Sequence, residues 1–143
     1  MMAEWGTILT EVTTYLNTLV TATSFTATRD YLPKNALTAL DTIKVVVFPR
    51  SEERLLINRG TYKTTYEATV AITQKTDPTE SANGLDSLLV LSNEIATALQ
   101  DKEYTSTTTT AVQNSPVYDY DKYATTAIFQ ALVNVTLDGY SDA

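Results

Sequence analysis

The sequence predicts an α+β domain, with antiparallel strands on one layer and helices packed on one face of them. Three observations predict it. Two segments carry apolar residues at helical spacing, and two others alternate apolar and polar residues with a period of two. The chain also holds twenty-seven threonines in 143 residues, a residue type suited to half-exposed strands. The elements read in the order α-β-β-β-α-β-β and include a long β-hairpin. No linker composition or internal repeat divides the chain, so residues 1–143 are expected to form a single domain. That length suits one domain and buries roughly 68–70% of the unfolded surface, enough for a core without cross-links.

The first helix comes from "AEWGTILTEVTTYLNTLVTA", where Trp5, Ile8, Leu9, Val12, Leu16, Leu19 and Val20 form one stripe. Trp5 is expected as a core anchor. In "SFTATRDYLP", Phe25, Ala27, Arg29 and Tyr31 alternate with polar residues, which predicts a short strand ending at Pro33. "KNALTALDT" reads as a linker or a turn of helix. "TIKVVVF" is a strand stopped by Pro49. "TYKTTYEATVAITQK" is a long strand: Tyr62, Tyr66, Ala68, Val70 and Ile72 share one face, and the other is expected to be wet.

In "LDSLLVLSNEIATALQDK", Leu85, Leu88, Leu89, Ile95, Ala96 and Leu99 give the second helix, with Asn83 and Asp86 as a reciprocal cap. "YTSTTTTAV" suits a flexible loop, followed by a strand within "AVQNSPVYDYD". In "KYATTAIFQALVNVTLDGY", Ala127, Phe129, Ala131, Val133, Val135 and Leu137 share a face. Ile128 and Leu132 break that alternation and are expected to touch a helix or a neighbouring subunit. Residues 139–143 are expected to be a loose tail.

Between the two middle strands lies "PRSEERLLINRG", which holds three of the four arginines and two glutamates. It reads as a charged hairpin loop of about ten residues, within which Leu55, Leu56 and Ile57 would extend the pairing. Arg50, Glu52, Glu53, Arg54 and Arg59 are candidate protein-interface residues on it. Tyr118 and Tyr120 are further candidates, because tyrosine is enriched at interfaces.

The composition excludes whole classes of chemistry. Histidine and cysteine are both absent, so no Ser-His-Asp triad, Cys-His pair, thiolate metal site or disulfide can form. The four glycines stand at no phosphate-loop spacing. "DYD" at 119–121 lacks the spacing and the turn glycine of a calcium loop. Glu52 and Glu53, adjacent on a loop, have no supporting shell to hold them as an acid and base pair. No catalytic residue, metal or other cofactor is therefore expected.

The net charge of -7 argues against general nucleic-acid binding. It is unevenly spread: residues 1–76 balance at +1 and residues 77–143 at -8. Such a split suits self-association through complementary surfaces, and acidic residues in solvated loops would produce it equally. No apolar run approaches the ~20 residues of a membrane span, and the N-terminus shows no signal peptide.

Together, "VVVFPRSEERLLINRGTYKTTYEATVAITQKTDP", "LDSLLVLSNEIATALQ" and "SPVYDYDKYATTAIFQALVNVTL" resemble the tail terminator (tail completion) proteins of long-tailed bacteriophages. The resemblance spans roughly residues 40–138. It implies a structural protein that forms a ring, usually a hexamer, capping the tail tube and ending its polymerisation. The ring would offer the neck a docking surface. The implied partners are further copies of the chain, the tail tube protein and a neck or connector protein, with DNA only as passing cargo. The implied location is the virion tail–neck junction, after assembly in the host cytoplasm. The charged hairpin loop would make contacts along the tube axis. A neck or head-completion connector shares the fold and is the alternative role. A non-viral protein-binding module and a carboxylate hydrolase are the readings outside that family.

Overall fold

The computed structural model describes residues 4–21, 25–29, 43–75, 82–100, 102–105, 107–114 and 128–142. Among them are two helices and five strands: α1 (Trp5–Leu16), β1 (Ala27–Arg29), β2 (Lys44–Asn58), β3 (Thr61–Lys75), α2 (Ala82–Leu99), β4 (Thr108–Gln113) and β5 (Ile128–Asp142). The fold is α+β in the expected order, with one sheet ordered β1-β2-β3-β5-β4.

β3 lies at the centre. It pairs antiparallel with β2 on one side and with β5 on the other, and β4 closes the far side. Both helices lie on one face, where Val45, Val47, Tyr66, Ala68, Val70, Ile72, Phe129, Ala131, Val133, Val135 and Leu137 alternate inward. Ile8, Leu9, Val12 and Leu16 of α1 meet them, as do Leu88, Leu91, Ile95 and Leu99 of α2. The inward sets follow from the period-two rule for strands and the 3.6 period of the helices. Trp5 anchors the start of α1 by standing edge-on to Tyr66, with ring centroids 5.2 Å apart and an interplanar angle of 86°.

β1 differs from the expectation. Its described part is Ala27–Arg29, while Tyr31 and Pro33 of the expected strand lie outside the described residues; it pairs parallel with Val45–Val47, which makes the sheet mixed rather than wholly antiparallel. Its entry is set by a side chain. Asn17, just past α1, accepts from the Ala27 amide at 2.8 Å and donates from Nδ2 to the Ala27 carbonyl at 3.1 Å. The carboxamide thus stands in for a strand partner. At the other end of β1, Arg29 Nη1 donates to the Gly6 carbonyl at 2.7 Å.

β2 is not stopped by Pro49. It runs on to Asn58, with a register shift between Pro49 and Ser51. A proline is tolerated there because it sits beside a bulge on an edge strand, where a missing N–H leaves no ladder bond broken. The expected loop is therefore mostly strand. The Thr-rich segment likewise supplies β4, beginning at Thr108, instead of a flexible loop. The expected loose tail is strand through Asp142, which pairs with Thr61.

The second face of β3 is drier than expected. Thr69, Ala71 and Thr73 are buried. Each is the small central member of a cross-strand row: Phe48–Thr69–Asn134, Val46–Ala71–Leu132 and Lys44–Thr73–Gln130. The longer flanking side chains shade it, and Thr69 Oγ1 donates to Asn134 Oδ1 at 2.9 Å. Ile128 and Leu132 lie on this face, away from both helices; Ile128 is buried and Leu132 is exposed.

Two helix details also change. Val20 falls beyond α1 and is 99% exposed, so it is not part of the stripe. α2 begins at Ala82, which places Asn83 inside its first turn rather than at the cap. The expected linker "KNALTALDT" lies outside the described residues.

Asn17→Ala removes both bonds that seat Ala27. It is expected to lower unfolding stability by about 1–3 kcal/mol, since a partly buried amide and carbonyl lose their partners. Urea unfolding with an unchanged slope checks this.

Candidate functional site

The distal half of the β2–β3 hairpin is the most exposed ordered structure among the described residues. Every residue from Arg50 to Arg59 is exposed. β3 is held there on its other side by β5, out to the Thr61–Asp142 pair. The arm is thus four strands wide up to Glu53, where β4 still pairs with Asp138, and three strands wide beyond it, with β2 at its edge. Beyond Val47 the outer edge of β2 has no strand partner among the described residues.

The register assigns the charges to faces. Past the bulge, Glu52 pairs with Tyr66, Arg54 with Thr64 and Leu56 with Tyr62, all on the helix-bearing face. Ser51, Glu53 and Leu55 face the other way, opposite Glu67, Thr65 and Lys63. Arg54 Nε lies 3.5 Å from Glu52 on the same face, and Arg50 Nε lies 3.8 Å from Glu67. These exposed pairs contribute only about 0–1 kcal/mol each to stability.

Of the five candidate interface residues on the expected loop, Arg59 alone occupies a true turn, Arg59–Gly60, between the paired Asn58 and Thr61. Gly60 has φ 122°, a backbone conformation L side chains rarely adopt. Tyr118 and Tyr120 lie outside the described residues.

The arm also displays an apolar tip. Leu55, Leu56 and Ile57 are exposed, and Tyr62 sits beside them. The signal was present in the run "LLI": in a strand with one buried face, consecutive apolar residues cannot all point inward. Behind the tip the ladder is locked on the outer face. Asp138 accepts from Thr65 Oγ1 at 2.9 Å and faces Lys63 Nζ at 3.3 Å. Burial raises the Tyr66 phenol pKa, while a hydrogen bond with Thr64 works the other way.

A second cluster sits by the helices. Lys102 Nζ lies 4.4 Å over the Tyr15 ring, and Tyr104 stands edge-on to Tyr15 at 6.0 Å. Tyr15 Oη donates to the Ala98 carbonyl at 2.9 Å, and the Thr105 amide donates to Glu11 Oε2 at 2.9 Å. These contacts pin the segment after α2 onto α1. Burial pushes the Tyr104 phenol well above its ordinary value, with the Tyr15 and Glu11 charges adding. The cluster is packing with a cation–π contact, and its geometry presents no nucleophile beside a base.

Among the described residues, no group of three or more acidic side chains could hold a metal ion, and no helix is long and apolar enough to cross a membrane. No family model matches the chain, and no curated protein matches it.

The raised Tyr104 pKa gives a pH dependence. The native state holds this proton more tightly than the unfolded chain, so the stabilisation is full below about pH 10 and falls as pH rises above it. Tyr104→Phe is expected to flatten the loss of stability between pH 10 and 11.5 in urea titrations, leaving the neutral-pH slope unchanged.

Proposed function

We propose that the protein is a structural virion protein. It assembles into a ring of about six copies, caps a phage tail tube, ends its polymerisation and presents the neck with a docking surface. The observation that carries this reading is the arm, strand-paired along its length yet exposed on β2 and its turn from Arg50 to Arg59. A scaffold that must join partners end to end needs such a projection. The resemblance of residues 40–138 to tail terminators supports it, and so does the charge split between the two parts of the chain. Arg50, Glu52, Glu53, Arg54 and Arg59 offer both signs of charge to a protein surface, which favours register and specificity. The acidic chain would let DNA pass through a channel without gripping it. The role needs no catalytic group and no cofactor.

Electron microscopy of the purified protein is expected to show rings, with light scattering giving about six copies. A chain that stays monomeric at high concentration and fails to bind tail tubes overturns the proposal. Pull-down with tube protein and with portal-side neck protein separates a terminator, which binds both, from a connector, which binds only the second.

Replacing Arg50, Arg54 and Arg59 together by Ala is expected to weaken assembly or docking while shifting stability by less than about 0.5 kcal/mol per site. Loss of the folded circular-dichroism signal would instead make these side chains part of the fold.

A further inference from the structure

Among the described residues, apart from the singly exposed Val90 and Leu132, two exposed apolar features stand out, and they lie at opposite ends of the sheet. One is the arm tip, where Leu55, Leu56 and Ile57 are 59%, 55% and 48% exposed. The other is an open groove of about 340 Å³ between the end of α1 and α2, lined by Leu19, Val20, Thr21, Asn93, Glu94, Thr97 and Ala98. The groove lies near Asn17, which holds Ala27, and Ala27 pairs with Val45. From Val45 to Leu56 the strand runs roughly 35 Å at about 3.3 Å per residue. A chain cannot bring its own tip to its own groove across that length of rigid ladder.

The two features are complementary. The tip is convex, aliphatic and closed by a turn whose single charge is Arg59. The groove is lined by the apolar Leu19, Val20 and Ala98 and by a single charged residue, Glu94. Its volume is near the lower end of small-ligand sites, about 300–1,000 Å³, so it admits a hairpin tip and not a whole element. Val20 on its wall is 99% exposed.

We propose that the arm tip of one copy seats in the α1–α2 groove of a second copy, with Arg59 facing Glu94. The contact is heterologous: a knob meets a different surface, so each copy still offers one free knob and one free groove. Such contacts propagate head to tail and close into a ring where the rotation permits. The proposal rests on the ring reading for its biological purpose and names the two surfaces that build the ring. It leaves Arg50 to Arg54, nearer the body, for a tube or neck partner.

The absence of cysteine permits a clean test. Asn58→Cys beside the tip and Thr97→Cys on the groove wall are both at exposed positions and outside the apolar contact. The two single variants are mixed at a concentration where the unsubstituted protein associates, then treated with a short bismaleimide. A mixed dimer is expected as the main product, and adding Leu56→Asp to the tip variant should reduce it by about tenfold or more, since a charge enters an apolar groove. Tip-to-tip dimers of the Asn58→Cys protein in preference, or no mixed product, overturn the proposal.

The double variant Asn58→Cys with Thr97→Cys separates this claim from the ring reading. A covalent ladder that ends at a closed ring supports both. An open-ended ladder keeps the tip–groove contact and overturns the ring. Rings seen by microscopy without cross-linking keep the ring and overturn the contact.

Discussion

The ladder between β3 and β5 is the constraint on which the other elements depend. It runs from Lys75–Ile128 to Thr61–Asp142 with no register shift. Because side chains alternate with a period of two, an unbroken ladder commits every residue of both strands to a face. Tyr66, Val70 and Ile72 then share a surface with Phe129, Val133 and Leu137, and α1 and α2 bury it. The opposite face receives small residues in the centre, which their neighbours on β2 and β5 shade. At the distal end β5 persists where no helix contributes to the core, so the arm gains its stiffness from a third strand.

The bulge after Pro49 determines what that arm shows. Without it, Ser51, Glu53 and Leu55 would continue the row of Val45 and Val47. With it, Glu52, Arg54 and Leu56 take that face. A bulge also bends and twists its strand, which suits a projection leaving the body of the sheet. Among the described residues the outer edge of β2 is unpaired beyond Val47, and charged side chains on such an edge guard against indiscriminate pairing. In the proposed assembly the same charges would give a partner a pattern to read.

Two of the exposed apolar features among the described residues sit apart, at the arm tip and at the α1–α2 groove. That asymmetry favours unlike surfaces meeting over a two-fold pairing. It agrees with a chain whose charge is split between its two parts, and both properties suit an assembly subunit. The Asn17–Ala27 bonds and the Lys102–Tyr15 contact act within the subunit, fixing the walls around the groove.

Much of the fold was legible in the sequence, and the misreadings share a cause. The periodicity of Ile8 to Leu16, of Leu88 to Leu99 and of the two long strands determined the helices, the hairpin and the inward faces, because burial demands a fixed repeat. The charged composition marked the segment 49–60 as solvent-exposed, and the run "LLI" carried the signal of its apolar tip. Tertiary structure alone decided where strands end. Ser51 to Asn58, the Thr-rich segment and residues 139–142 have weak or mixed local signals, and pairing with a strand already held in place makes them β-structure. It also decided that β1 runs parallel, seated by Asn17, and that Val20 leaves the helix stripe. Local sequence sets a preference of about 1 kcal/mol or less per residue, whereas a neighbouring strand supplies the backbone partners that convert a preference into an element.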